Sequence, residues 1–187
     1  MIYLIITTSI KRKFCPRPNS KKICNIRYKN GIVQHDSNDL HRKNRYTESI
    51  KSLLAHGKHK GVNELLDIKY IIQKYKIEDD DIVMKITGRY KMLNSEYIEL
   101  VKNNANMFDA FVKFFNVCTR QYMHDDCVLG LFAIKCKYLL NFNYDCNKSA
   151  ECEFAEHVRK YVKDKTLEVT QLNLECCFAD NLQILIV

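Results

Sequence analysis

At 187 residues, with 47% hydrophobic and 11% aromatic side chains, the chain is long enough to bury a core of its own and too apolar for a disordered polymer. Its net charge of +8 is unevenly spread: residues 1–60 hold fourteen Lys and Arg against three Asp and Glu, whereas residues 61–187 hold sixteen against nineteen. No apolar run approaches the ~20 residues of a membrane span, and "IYLIITTSI" is too short and lacks a small-residue cleavage site, so a soluble cytoplasmic protein is expected.

Ile2 to Thr7 reads as a strand, and the hydroxyls of Thr7, Thr8 and Ser9 at its carboxyl end suit a base or a phosphate; a plain polar exit from the strand is the alternative. A basic insertion over residues 11–40 follows, broken by Pro16, Pro18, Asn19, Asn30 and Gly31, with "GIVQH" as its only strand-like piece. Such a segment can bind phosphates without sequence preference, but no aromatic stacking pattern accompanies the charge, so a solvated loop is expected rather than a nucleic-acid site. In "HRKNRY", Arg42 and Arg45 stand at helical spacing and can clamp phosphate oxygens or simply face solvent. "YTESIKSLLAH" predicts a helix with Ile50, Leu53 and Leu54 on one face. "NELLDIKYIIQKYK" predicts a second, with Leu65, Ile68, Ile71, Ile72 and Tyr75 inward.

The stretch "DDDIVMKITGRYKML" then sets three carboxylates before a short apolar run. Ile82, Val83, Met84 and Ile86 form a strand buried on both faces, the kind found in α/β sheets, where ligands bind outside the carboxyl ends of the strands. That places Thr87, Gly88, Arg89 and Tyr90 at the ligand edge, with Lys85 a weaker candidate because it lies within the buried strand. Gly88 permits close backbone approach, and Arg89 offers a bidentate fork. Asp79 and Asp81 form a D-x-D pattern able to hold Mg²⁺ or Mn²⁺ against a diphosphate, yet they precede the strand and so point away from the ligand edge; no metal site is assigned.

After a short helix from Ser95, capped by Asn94 or Ser95, "FDAFVKFF" and "VLGLFAIK" read as strands. "AECEFAEHVRKYV" reads as an amphipathic helix burying Phe154, Val158, Tyr161 and Val162, and "LQILIV" as a final strand. Strands alternating with helices predict a largely parallel sheet with helices on its faces. Five glycines allow neither a dinucleotide fingerprint nor a Walker loop. The nine cysteines are scattered, with no C-x-x-C pair, and read as reduced, mostly buried thiols; Cys118, His124 and Cys127 lack the second ligand pair of a zinc site.

The blocks "KGVNELLDIKYIIQKYKIEDDDIVMKITGRY", "DAFVKFFNVCTRQYMHDDCVLGLFAIKCKYL" and "ECEFAEHVRKYV" resemble glycosyltransferase-like proteins of giant viruses, which look like small GT-A glycosyltransferases. The resemblance runs from Lys58 onward and takes in the first strand. It implies one α/β, Rossmann-related GT-A-like domain over residues 1–187, its mostly parallel or mixed sheet flanked by helices, in the host cytoplasm if the source is viral. A nucleotide-sugar-binding half is implied on the first strand and the Lys60-Gly61-Val62-Asn63-Glu64 turn. The acceptor side would come from the later strands and the helix carrying Glu151 and Glu153. The implied reaction moves a sugar from a nucleotide diphosphate sugar to a hydroxyl of a glycan or protein. Arg89, Arg42 and Arg45 would meet phosphate, and Thr7, Thr8 and Glu64 the base or ribose. One carboxylate among Asp125, Asp126, Glu151 and Glu153 would act as base or transition-state stabiliser.

Two departures stand beside the resemblance. The strand at 82–86 ends in Thr-Gly-Arg-Tyr rather than D-x-D, and no strand fits between Leu54 and Val62, so either "GIVQH" supplies it or the donor pocket lacks a wall. The alternatives are a basic module that binds nucleic acid or acidic glycans without catalysis, and a degenerate relative that retains only the fold.

Overall fold

The computed structural model describes residues 1–7, 32–34, 60–88, 90–177 and 183–187. Their main element is a six-stranded sheet built from β1 (Ile2–Thr7), β2 (Ile32–Gln34), β3 (Ile82–Thr87), β5 (Ala110–Val112), β6 (Leu131–Lys135) and β7 (Thr166–Glu168). The order across it is β2-β1-β3-β6-β5-β7, with every neighbouring pair parallel except those made by β6. The sheet is therefore mixed and mostly parallel, as expected, with β6 its one reversed strand. "GIVQH" does supply a strand: Ile32, Val33 and Gln34 pair with Leu4, Ile5 and Ile6 on the outer side of β1. The remainder of the basic insertion and the helix expected over 46–56 lie outside the described residues.

Alternation along β1 and β3 assigns each face its own core. Ile5 and Val83 face α1 (Lys60–Lys74), α3 (Cys136–Asn141) and α4 (Ala150–Tyr161), joining Ile68, Ile71, Ile72, Phe132, Leu139, Phe154 and Val158. Ile82, Met84 and Ile86 face the other way, toward α2 (Glu96–Asn104) and a three-stranded antiparallel sheet of β4 (Lys91–Met92), β8 (Leu174–Cys177) and β9 (Ile184–Ile186). Tyr97 of α2 is wholly inside this second core. It is tolerated there because its hydroxyl donates to the Phe111 carbonyl at 2.9 Å.

Among the described residues the expected helices form where their apolar stripes lie, with two corrections. Tyr75 and Tyr161 are half exposed: Tyr75 falls beyond the last turn of α1, and Tyr161 ends α4 with its ring against His157. The final apolar run does not enter the main sheet; β9 pairs antiparallel with β8 and leaves Ile184 and Ile186 exposed. At α2 the cap is Asn94, whose side-chain oxygen accepts from the Glu96 N–H at 3.1 Å. At α4 it is Ser149, which accepts from Cys152 N–H.

Gly130, just before β6, permits a close approach. Its carbonyl accepts from Thr87 N–H at 2.9 Å, and an added Cβ would stand 2.3 and 2.6 Å from two ring atoms of Tyr90. Gly130→Ala should therefore displace a ring packed on the second core and cost about 1–3 kcal/mol, read as a lower urea midpoint at unchanged slope. A second expectation concerns His157, buried on α4 between the rings of Phe142 and Tyr161, with Nε2 donating to the Tyr138 carbonyl at 2.8 Å. Burial holds its pKa below the ordinary imidazole value. Below pH about 6.5 the unfolded chain takes up a proton that the folded chain refuses, so stability should fall as pH drops from there toward the lowered folded value. Urea unfolding across that range should show the slope, and His157→Gln should flatten it.

Candidate functional site

The chain leaves β1 to pair β2 on one side and returns through α1 to pair β3 on the other, so the order reverses between β1 and β3. That reversal is the switch point at which open α/β sheets bind ligands, outside the carboxyl ends of the strands. Because β6 runs against β3, the segment leading into β6 arrives at this same edge, where Leu131 pairs with Ile86. The first turns of α1 and α4 also meet here: a Cβ on Gly61 would come within 3.1 Å of Ala150 and 3.2 Å of the Tyr144 ring.

A charged cluster occupies the edge. Lys85 points to the α1 face like Val83, and its side chain is only 2% exposed. An ammonium so placed requires partners. Nζ lies 2.9 Å from Glu64 Oε1 and donates to Thr87 Oγ1 at 2.9 Å and to the Leu129 carbonyl at 2.7 Å. The Thr7 hydroxyl donates to the same Glu64 Oε1. Both contacts to Glu64 thus fall on one oxygen, while the side chain as a whole stays about one-third exposed. Gly88 N–H donates to the Thr7 carbonyl at 2.7 Å, which holds Gly88 against the β1 end, and Tyr90 N–H donates to the Thr87 carbonyl at 2.9 Å. Behind the pair lies a cavity of about 40 Å³ walled by Leu65, Ile68, Phe132, Leu139, Phe142 and Phe154.

The four candidate carboxylates also gather at this edge, with different commitments. Asp126 is buried and its Oδ2 accepts from Asn116 Nδ2 at 2.6 Å. Asp125, beside it, is exposed. Glu151, on the first turn of α4, is half-buried, and its carbonyl accepts from the Cys127 thiol at 3.2 Å. Glu153 accepts from the backbone N–H groups of Asp145, Asn147 and Lys148 at 2.7, 2.7 and 2.9 Å, which makes its carboxylate the brace of that loop. Burial pushes the Cys127 thiol well up, Asp126 and Glu151 add to the effect and Lys85 opposes it, so this cysteine is an unreactive core residue.

Thr7, Glu64, Thr87 and Gly88 therefore stand together, with Asp125, Asp126 and Glu151 on neighbouring segments of the same edge. Thr8, Arg42, Arg45 and Arg89 lie outside the described residues. Asp79 and Asp81 sit at the amino end of β3, where Asp81 Oδ2 accepts from Glu78 N–H and the Asp79 and Asp81 carbonyls accept from Lys137 and Cys136 N–H. Among the described residues no group of three His, Cys, Asp or Glu is arranged to hold a metal. A wider depression of about 510 Å³ lies near Arg159, Lys163 and Thr166; its one guanidinium is taken by Glu168 and the Phe114 face, so the β1–β3 edge is the stronger candidate. Sequence reasoning undervalued Lys85. The signal was present: a lysine inside a strand buried on both faces demands a carboxylate.

No protein-family model matches the sequence, and no curated protein or solved structure matches it. No helix among the described residues is long and apolar enough to cross a membrane.

Removing one half of the buried pair should be far worse than removing both. Glu64→Gln should cost about 3–5 kcal/mol because the buried Lys85 ammonium loses its counter-charge, whereas adding Lys85→Met to it should restore much of the loss. Urea unfolding of the two single variants and the double variant measures the coupling.

Proposed function

We propose that the chain is a glycosyltransferase of GT-A type that moves a sugar from a nucleotide diphosphate sugar to an acceptor hydroxyl on a glycan or protein. The observation that carries this reading is the convergence, at one switch point, of a paired Lys85–Glu64–Thr7–Thr87 cluster with three further carboxylates from the β6 approach and α4. In this reading Thr7 and Glu64 meet the nucleoside. Thr87, Gly88 and Arg89 meet the diphosphate, with Arg42, Arg45 and Thr8 assigned to the donor from sequence alone. Asp125 or Glu151 stabilises the reacting centre, since Glu153 is spent on three amides and Asp126 on Asn116. A second reading, donor binding without turnover, draws on those same commitments: two of the four carboxylates already have full-time structural partners.

The donor reading is tested by thermal unfolding with uridine, guanosine, adenosine and cytidine diphosphates, each with and without Mn²⁺. A nucleotide at a hundred times its dissociation constant should stabilise the fold by about 2.7 kcal/mol, a shift of several degrees. No shift with any of them would end the proposal, and a shift without sugar release from the cognate nucleotide sugar would select the second reading. Asp79→Asn combined with Asp81→Asn should leave the binding constant within about threefold, below 1 kcal/mol, because these acids lie at the far end of β3. A loss of Mn²⁺-dependent binding in that variant would return the metal to the D-x-D pair.

A further inference from the structure

We infer that Cys152 and Cys127 are a redox pair, in which Cys152 is oxidised by a hydroperoxide and Cys127 closes a disulfide onto it, whether or not the chain uses a nucleotide sugar. Both thiols are free in the structure. They come from distant segments: Cys127 precedes β6, and Cys152 lies in the first turn of α4. Packing brings them together. The Cys127 thiol donates to the Glu151 carbonyl at 3.2 Å, so its sulfur already touches the peptide group that leads into Cys152. Phe114 and Cys127 are bridged partners across an antiparallel pair, which sets their side chains side by side, and both enter the first core. The Arg159 guanidinium lies 3.6 Å from the centroid of that same Phe114 ring. Cys152 precedes Arg159 by seven residues on α4, about two turns, so it projects from the side of the helix that Arg159 presses onto Phe114. That is the side on which Cys127 stands.

The two thiols differ in what can reach them. Cys127 is 1% exposed, whereas Cys152 is only half-buried and its thiol makes no hydrogen bond among the described residues, so an oxidant in solution meets Cys152 first. The Cys152 sulfur attacks one oxygen of the hydroperoxide, the O–O bond breaks, and the other oxygen leaves with the Cys152 proton as water or an alcohol; Cys152 becomes a sulfenic acid. The Cys127 sulfur then turns from the Glu151 carbonyl and attacks the Cys152 sulfur. The S–O bond breaks, and the hydroxyl departs with the Cys127 proton as a second water. Two thiols are oxidised by two electrons and one hydroperoxide is reduced. The other described thiols are worse placed: Cys118 is exposed, Cys136 is buried against the Ile77 carbonyl and Cys176 lies in the second core. Cys146, in the loop braced by Glu153, is the nearest competitor. Once formed, the bridge ties the turn that carries Glu151 to the segment that carries Asp125, Asp126 and the Leu129 carbonyl, the acceptor of Lys85.

Hydrogen peroxide added to the reduced, intact chain tests the pair. The remaining thiols are alkylated, the chain is cleaved after Lys and Arg without reductant, and the fragments are mapped by mass spectrometry. Such cleavage leaves Cys127 as the one cysteine of residues 121–135 and Cys152 as the one cysteine of residues 149–159, so a bridge between them is read directly. That link should exceed any other at least about tenfold, because thiols whose Cα atoms lie more than ~7 Å apart cannot bridge without backbone movement. Dithiothreitol should reverse it. In Cys127→Ala the sulfenic acid on Cys152 should persist and be captured by dimedone, whereas in Cys152→Ser the Cys127 thiol should stay open to alkylation after unfolding. Because the wild-type map needs no variant, a variant that fails to fold leaves the pair open to refutation. A main link that leaves out either cysteine, such as Cys146 to Cys152, overturns the inference. So does oxidation of Cys118 while Cys127 and Cys152 stay reduced, or a Cys127–Cys152 link that forms only in urea.

Discussion

Burying one ammonium inside a mixed sheet constrains most of what surrounds it. Lys85 lies in a strand whose neighbours Met84 and Ile86 are buried, and a charge there is tolerable only if its hydrogen bonds are complete. The three acceptors come from three different places: α1, β3 itself and the segment before β6. Each must arrive in register. A slip of β3 by one residue would turn Lys85 into the second core, among the apolar side chains of Leu131, Leu174 and Cys176, and away from its three acceptors. The pair therefore specifies the register of β3 against β1 as well as the docking of α1.

The antiparallel strand has a comparable influence. Were β6 parallel to β3, its approach would come from the amino end, and Leu129, Asp125 and Asp126 would stand far from Thr87. Running the other way, β6 delivers them to the switch point, and its own end carries Lys135 to the opposite edge. There Lys135 pairs with Asp109 at 2.8 Å and Lys137 with Asp80 at 2.9 Å, in a solvated network that holds the Asp80 carboxyl below its usual range. At that end Asp80 is an exposed partner of lysines, whereas at the other end Glu64 pairs with a lysine that is buried.

Much of this was legible in the sequence because it follows from periodicity. The buried run at 82–86, the stripe Leu65, Ile68, Ile71 and Ile72, and the face of Phe154 and Val158 all form as their spacing requires. The amino-end placement of Asp79 and Asp81 followed from the strand's direction alone. What local pattern does not encode is pairing. The reversal of β6, the diversion of β9 into a small sheet and the use of Ile32–Gln34 beside β1 depend on contacts between distant segments. Tyr75 and Tyr161 were misjudged for a related reason: a helical stripe says which face is apolar, not where the helix stops. At the site, strand ends place Thr7, Thr87 and Gly88, while Glu64 follows only from the resemblance; Lys85 ranks as a weaker candidate by burial alone, although a buried ammonium demands a partner.

The commitments of Glu153 bear on how firm such a site can be. Its three amide contacts hold the loop at 145–148, the Tyr144 hydroxyl donates to the Lys148 carbonyl at 3.2 Å, and the Tyr144 ring lies against Gly61 at the start of α1. Three residues further along α1 stands Glu64, whose helix is thereby fixed at its upper end by Tyr144 and along its length by Ile68, Ile71 and Ile72. A carboxylate that must meet both Lys85 and Thr7 needs a support that does not shift, since a displacement of about 1 Å is enough to spoil a hydrogen bond. Glu153 thus reaches the site without touching a ligand: by bracing the loop that carries Tyr144, it holds α1 where Lys85 and Thr7 can both address Glu64.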